Sequence, residues 1–122
     1  MVSLFLGCSS SERSLKSINS SLYLDKDQIA SLEAVALQGN GDAADRLFEF
    51  YFFCDSNKSK ALHWLSIAAT NGNVSAQHCM GQYYLGEVYR DPVDVNKAIY
   101  WFKQAAAKGD TNAFHRLQEL EK

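Results

Sequence analysis

Lys60-Ala61-Leu62-His63-Trp64-Leu65 and Lys97-Ala98-Ile99-Tyr100-Trp101-Phe102 are two copies of one pattern, and they decide the reading of this chain. Each copy runs on to an alanine pair, Ala68-Ala69 and Ala105-Ala106, and three residues later each meets a glycine, Gly72 and Gly109. Apolar and small residues at three- and four-residue spacing predict a helix with a narrow, closely packed face. A glycine just past its end can take the left-handed conformation that closes a helix. Residues 27–39 fit the same frame weakly, through Ile29, Leu32, Val35 and Ala36 ahead of Gly39.

The frame extends downstream of each glycine. Asn40, Asn73 and Asp110 follow directly, and these are residue types that cap helix N-termini. Four residues after each glycine stands Ala43, Ala76 or Ala113, and eight after stands Leu47, Met80 or Leu117. Gly39, Gly72 and Gly109 are 33 and 37 residues apart, a period of helical solenoids. Each period holds an A helix opened by the cap residue and a B helix closed by the glycine. The expected helices are B 26–38, A 41–53, B 57–70, A 74–86, B 94–107 and A 110–121. The predicted fold is all-α: a right-handed α-solenoid of antiparallel helix pairs, with units 41–73 and 74–109 and a capping helix 110–122. Ala43, Ala76 and Ala113 are expected to allow close helix approach, and Trp64 and Trp101 to anchor the core.

Lys-Ala-x-x-Trp, Ala-Ala-x-x-Gly and the Ala–Leu/Met–Tyr spacing together resemble the Sel-one-like repeat, a relative of the tetratricopeptide repeat. The second unit carries most of the likeness: Gly72, Ala76, Met80-Gly81, Tyr84, Gly86, Asp94-x-x-Lys97-Ala98, Trp101 and Ala105-Ala106-x-x-Gly109. The resemblance covers residues 27–122. In the first unit the A–B loop is four residues shorter, and Phe48, Phe53 and Asn57 replace the two glycines and the aspartate. The resemblance implies A helices lining a concave surface, and a non-catalytic protein–protein interaction module that serves as scaffold or adaptor.

Composition sets outer bounds. Of 122 residues 47% are apolar and 21% charged, which is globular composition. Twelve Lys+Arg against fourteen Asp+Glu give a net charge of −2, which argues against a phosphate-tracking basic face and so against a nucleic-acid partner. No run approaches the roughly 20 apolar residues of a membrane-spanning helix.

Leu6-Gly7-Cys8, preceded by an apolar run and followed by Ser9-Ser10-Ser11, resembles the end of a bacterial lipoprotein signal. Cys8 is the lipidation candidate, residues 1–24 a truncated signal-like segment with a serine-rich tether, and residues 25–122 the repeat domain. Only seven residues precede Cys8 and none is Lys or Arg, a departure from that signal. The expected location is the periplasm-facing side of a bacterial envelope, with a lipid anchor the sole membrane contact; the alternative is the cytoplasm. Cys54 and Cys79 sit eight residues out of register on roughly parallel A helices, about 12 Å apart along the axis, so both are expected as free thiols.

At about 100° per residue, His78 and Gln82 fall opposite Ala76, and their columns hold Asp45 and Glu49 before and His115 and Glu119 after. With Phe52 and Leu85 one turn further along, these eight residues form the expected partner-binding groove for a protein or peptide. The competing reading is an ordinary solvated face. His78 and His115 lack additional ligands at metal-binding spacing, so no metal and no cofactor is expected. No Gly-x-Ser-x-Gly, no Ser-x-x-Lys and no phosphate loop occurs, so no enzyme is expected. An inhibitor or immunity-like protein that occludes one enzyme or toxin is the alternative function, and a β-lactam-interacting hydrolase ranks below it. Phe48-Glu49-Phe50-Tyr51-Phe52-Phe53 packs five aromatics into six helical positions, which exceeds one face. Either neighbouring chain covers the surplus or a partner does.

Overall fold

The structure is a computed structural model that describes residues 22–122. Among the described residues are six α-helices and no strand: α1 Lys26–Leu37, α2 Gly41–Glu49, α3 Lys58–Thr70, α4 Val74–Tyr84, α5 Val95–Ala107 and α6 Thr111–Leu120. A π-helical turn, Phe50–Cys54, continues α2. Contacts divide the chain between Asn73 and Val74 into an N-terminal unit holding α1–α3 and a C-terminal unit holding α4–α6. Cys8 and the serine-rich segment up to Ser21 lie outside the described residues.

The repeated glycine does the same job three times. Gly39, Gly72 and Gly109 have φ of 104°, 93° and 97°, a conformation open to glycine and costly to other residues. This turn lets the next backbone N–H reach back five residues: Asn73 donates to the Ala68 carbonyl at 3.0 Å and Asp110 to Ala105 at 3.2 Å. The same residue then opens the following helix, since Asn40 Oδ1 accepts from the Ala43 N–H and Asp110 Oδ1 from the Ala113 N–H. One Gly-Asn or Gly-Asp dipeptide thus ends a B helix and starts an A helix. α1 instead opens on a capping box between Asp25 and Gln28.

In the N-terminal unit α2 packs on α1 and α3, burying Ala44, Leu47, Phe48, Ala61, Leu65 and Ala68. The expected A helix 41–53 is α-helical only through Glu49. From Phe50 the hydrogen bonding loosens: Asp55 N–H donates to the Phe50 carbonyl at 3.0 Å, an i+5 step. The aromatic run explains the change, because a wider turn alters the angular phase and brings more of the crowded rings inward. Phe48, Phe50 and Tyr51 are buried, and Phe52 and Phe53 are half-buried. Phe52 stacks on Phe48 at 5.4 Å between ring centroids, and the Lys60 ammonium lies 5.3 Å over the Tyr51 ring.

In the C-terminal unit the core is Ala98, Phe102, Ala105, Ala113 and Leu117. Phe102 is fully buried because α4 offers Gly81 opposite it: a Cβ there would stand 2.7 Å from the Phe102 ring. Trp64 is a buried anchor as expected, but Trp101 is only half-buried and Phe102 takes the anchoring role. Cys54 is a free thiol whose pKa burial pushes up. Cys79 is disulfide-bonded, which corrects the expectation of two free thiols; its partner lies outside the described residues.

Candidate functional site: the A-helix faces

The candidate groove residues do not share one environment, and each unit uses them differently. In the C-terminal unit His78 Nδ1–H donates to Asp110 Oδ2 at 2.9 Å, and its ring meets Phe102 edge-on at 5.3 Å. The other oxygen of Asp110 accepts from Asn112 and Ala113 N–H groups at the start of α6. His78 therefore ties α4 to the cap of the next A helix and is mostly covered. Gln82 is buried as well. The expected open pair of His78 and Gln82 is corrected to a structural one, because the chain covers both and Asp110 engages the imidazole. His115 and Glu119, in the same two columns of α6, are exposed, and Leu85 is half-buried against the core.

In the N-terminal unit Asp45 is mostly covered, and its pKa is pushed up to about 7 by burial first, then by the charges of Glu49 and Asp42. Glu49 and Phe52 remain half-buried. Asn73 Nδ2 donates to Asp42 Oδ1 at 2.8 Å, a second tie between the body of an A helix and a cap residue.

A column seven residues after the glycine, not singled out from sequence, proves informative. Arg46 donates to the Leu22 carbonyl at 2.9 Å. Arg116 makes a two-pronged pair with Glu87 of the α4–α5 loop, at 3.0 Å for its Nη1, and its guanidinium lies 5.4 Å over the Phe102 ring. That hydrogen bond raises the Arg116 pKa further. The loop is also held by Tyr83, whose hydroxyl donates to Asp91 Oδ2 at 2.7 Å and whose pKa is pushed up to about 12 by that bond. Arginine at the same repeat position in the first and last A helices was the available signal. Beside Arg46, a cleft of about 440 Å³ opens between the segment at Leu24 and the α1 residues Asp27, Gln28, Ser31 and Leu32. Among the described residues no group of three or more His, Cys, Asp or Glu could hold a metal ion, and no helix is long and apolar enough to cross a membrane.

The Sel1 repeat family matches residues 43–73 and 74–110, two consecutive repeats. The chain belongs to the Sel1 repeat family. Sel1 repeats build tetratricopeptide-like helical solenoids and serve generally as protein-interaction modules, typically without catalysis. The chain is similar to the uncharacterized protein YibG of Escherichia coli (strain K12), at 31% identity over 105 residues. That alignment covers 81% of this chain and 66% of YibG, so the chain spans just under two thirds of its relative's length. No solved structure matches the chain significantly.

Proposed function

We propose that this Sel1 repeat chain is a non-catalytic adaptor that takes a protein or peptide partner on exposed and half-buried positions of its A helices. The observation that carries the reading is the pair of consecutive Sel1 repeats, since the family consists of interaction modules. The contact residues are His115 and Glu119 in the C-terminal unit and Glu49 and Phe52 in the N-terminal unit. His78, Gln82 and Asp45 belong to the supporting structure beneath them. Site-specific photo-crosslinking tests this assignment. A crosslinker at His115 or Glu49 should capture the partner, and one at the exposed B-helix residue His63 should not. Adducts from His63 alone would overturn it.

We also propose an envelope location for the adaptor. Two mutually exclusive uses of Cys8 support it: lipidation at Leu6-Gly7-Cys8, or pairing in the disulfide at Cys79, because disulfides persist in oxidising compartments. Mass spectrometry of the Cys8 peptide from native cells separates the outcomes. A diacylglyceryl thioether supports the lipid anchor; a Cys8–Cys79 disulfide supports export without that anchor; a free Cys8 thiol counts against both.

A further inference from the structure

Within each complete helix pair, one stripe of the A helix faces one stripe of the B helix. The A stripe lies five, nine and twelve residues after the glycine: Ala44, Phe48 and Tyr51 in α2 and its π-helical continuation, Gln77, Gly81 and Tyr84 in α4. The B stripe lies eleven, seven and four residues before the next glycine: Ala61, Leu65 and Ala68 in α3, Ala98, Phe102 and Ala105 in α5. Gly81 abuts Phe102, the Lys97 ammonium lies 5.4 Å over the Tyr84 ring, and Lys60 lies over Tyr51 in the same way. All six B-stripe residues have 0% exposure, and Ala44 and Gln77 have 0% and 4%.

Among the described residues, α6 and α1 carry the same stripes exposed. On α6 the A stripe is Phe114, Gln118 and Glu121, and Phe114 is 52% exposed where Ala44 and Gln77 are buried. On α1 the B stripe is Gln28, Leu32 and Val35, with Val35 42% exposed and the 440 Å³ cleft open beside Gln28 and Leu32. A large aromatic at half exposure suits an interface better than a solvated face. Among the described residues, one A stripe and one B stripe thus stand exposed, and each is the counterpart that the other's column meets in a complete pair.

We propose that α6 of one copy of this chain packs against α1 of a second copy, completing an A–B helix pair between molecules. The antiparallel frame of α4 and α5 sets Phe114 on Val35 and Gln118 near Leu32, with Phe114, Val35 and Leu32 as the apolar centre. The contact is heterologous: α6 of the first copy meets α1 of the second, so a pair retains one open stripe at each end. Charge keeps the association weak. Asp27 occupies the column of Lys60 and Lys97, and it would approach Glu121, which Lys103 already holds at 3.5 Å. Added salt should therefore tighten the contact, and Asp27→Lys should tighten it several-fold.

Sedimentation velocity on the full chain over a wide concentration range provides the test. The parent should self-associate as concentration rises. Phe114→Glu and Val35→Glu should each weaken association by about 10-fold or more, with the circular dichroism spectrum unchanged because both sites are exposed. Mixing the two variants should restore a 1:1 heterodimer, since the Phe114→Glu chain keeps its α1 stripe and the Val35→Glu chain keeps its α6 stripe. If either glutamate disturbs folding, Phe114→Ser and Val35→Ser replace the pair. A parent that stays monomeric throughout, association that survives both substitutions, or a mixture that fails to pair would each overturn the proposal. The last outcome would assign Phe114 to a two-fold symmetric contact or a foreign partner instead.

Discussion

In α2–α3 the A helix carries Phe48 where the B helix carries Leu65; in α4–α5 the same two columns hold Gly81 and Phe102. All three of the large residues are fully buried, so both pairs fill the seam between A and B helices, with bulk on both helices in the first pair and on the B helix alone in the second. The pairs also differ in how the A helix ends. The aromatic-rich α2 widens into a π-helical turn and a short loop, whereas α4 ends at Tyr84, turns at Gly86 and enters a longer loop pinned by Tyr83–Asp91 and Glu87–Arg116. The two seams are filled differently: Phe48 and Leu65 both supply bulk in the first, whereas in the second Phe102 supplies it alone and Gly81 lets it approach α4 closely. Each seam must still be close-packed, since either a void or an overlap there is costly.

The comparison is breakable, and the largest effect is expected at the bulky member of the second seam. Phe102→Ala should cost about 3–5 kcal/mol by chemical denaturation, while Trp101→Ala, half-buried, should cost about 1–2 kcal/mol. Equal losses would mean that Trp101 shares the anchor after all. Next in size, Gly81→Ala, whose Cβ would stand 2.7 Å from the Phe102 ring, should cost about 1–3 kcal/mol, and adding Phe102→Leu should change that cost by relieving the overlap. Strict additivity of the two changes would break the comparison.

A third effect separates the units by pH. The raised Asp45 carboxyl binds a proton in the folded chain that the unfolded chain has already released between about pH 4 and about pH 7. Stability should therefore fall as pH rises through that window. Asp45→Asn should add about 2 kcal/mol at about pH 8 and almost nothing at about pH 4, and a gain independent of pH would remove Asp45 from this role. Smaller still, Glu87→Gln should cost about 1 kcal/mol by loosening the clamp of Arg116 on the loop. At the bottom of the scale, replacing His115 and Glu119 together by Ala should change folding by less than about 0.5 kcal/mol while reducing partner binding. A cooperative loss of structure in that variant would reassign both residues to packing.

Much of the fold was legible because its signals are local and repeated. Gly39, Gly72 and Gly109 each precede a cap residue, and each boundary they imply falls within a residue or two of the helices observed. The candidate site was less legible. A helical wheel placed His78 opposite Ala76, but one helix cannot disclose that Asp110, thirty-two residues on, reaches that face and engages it. The same limitation applied to Asp45, whose exposure depends on neighbours rather than on its own helix.

The sequence by itself determined the period and the helix types, because turn geometry, capping and helical periodicity act over a few residues. Tertiary structure decided which columns face water. It buried Gln82, left Trp101 half-open, widened α2 after Glu49 and exposed Phe114 in a column that is covered in both complete pairs. The physical reason is that repeat-equivalent residues share a helix phase but not a set of neighbours, and burial belongs to the neighbours.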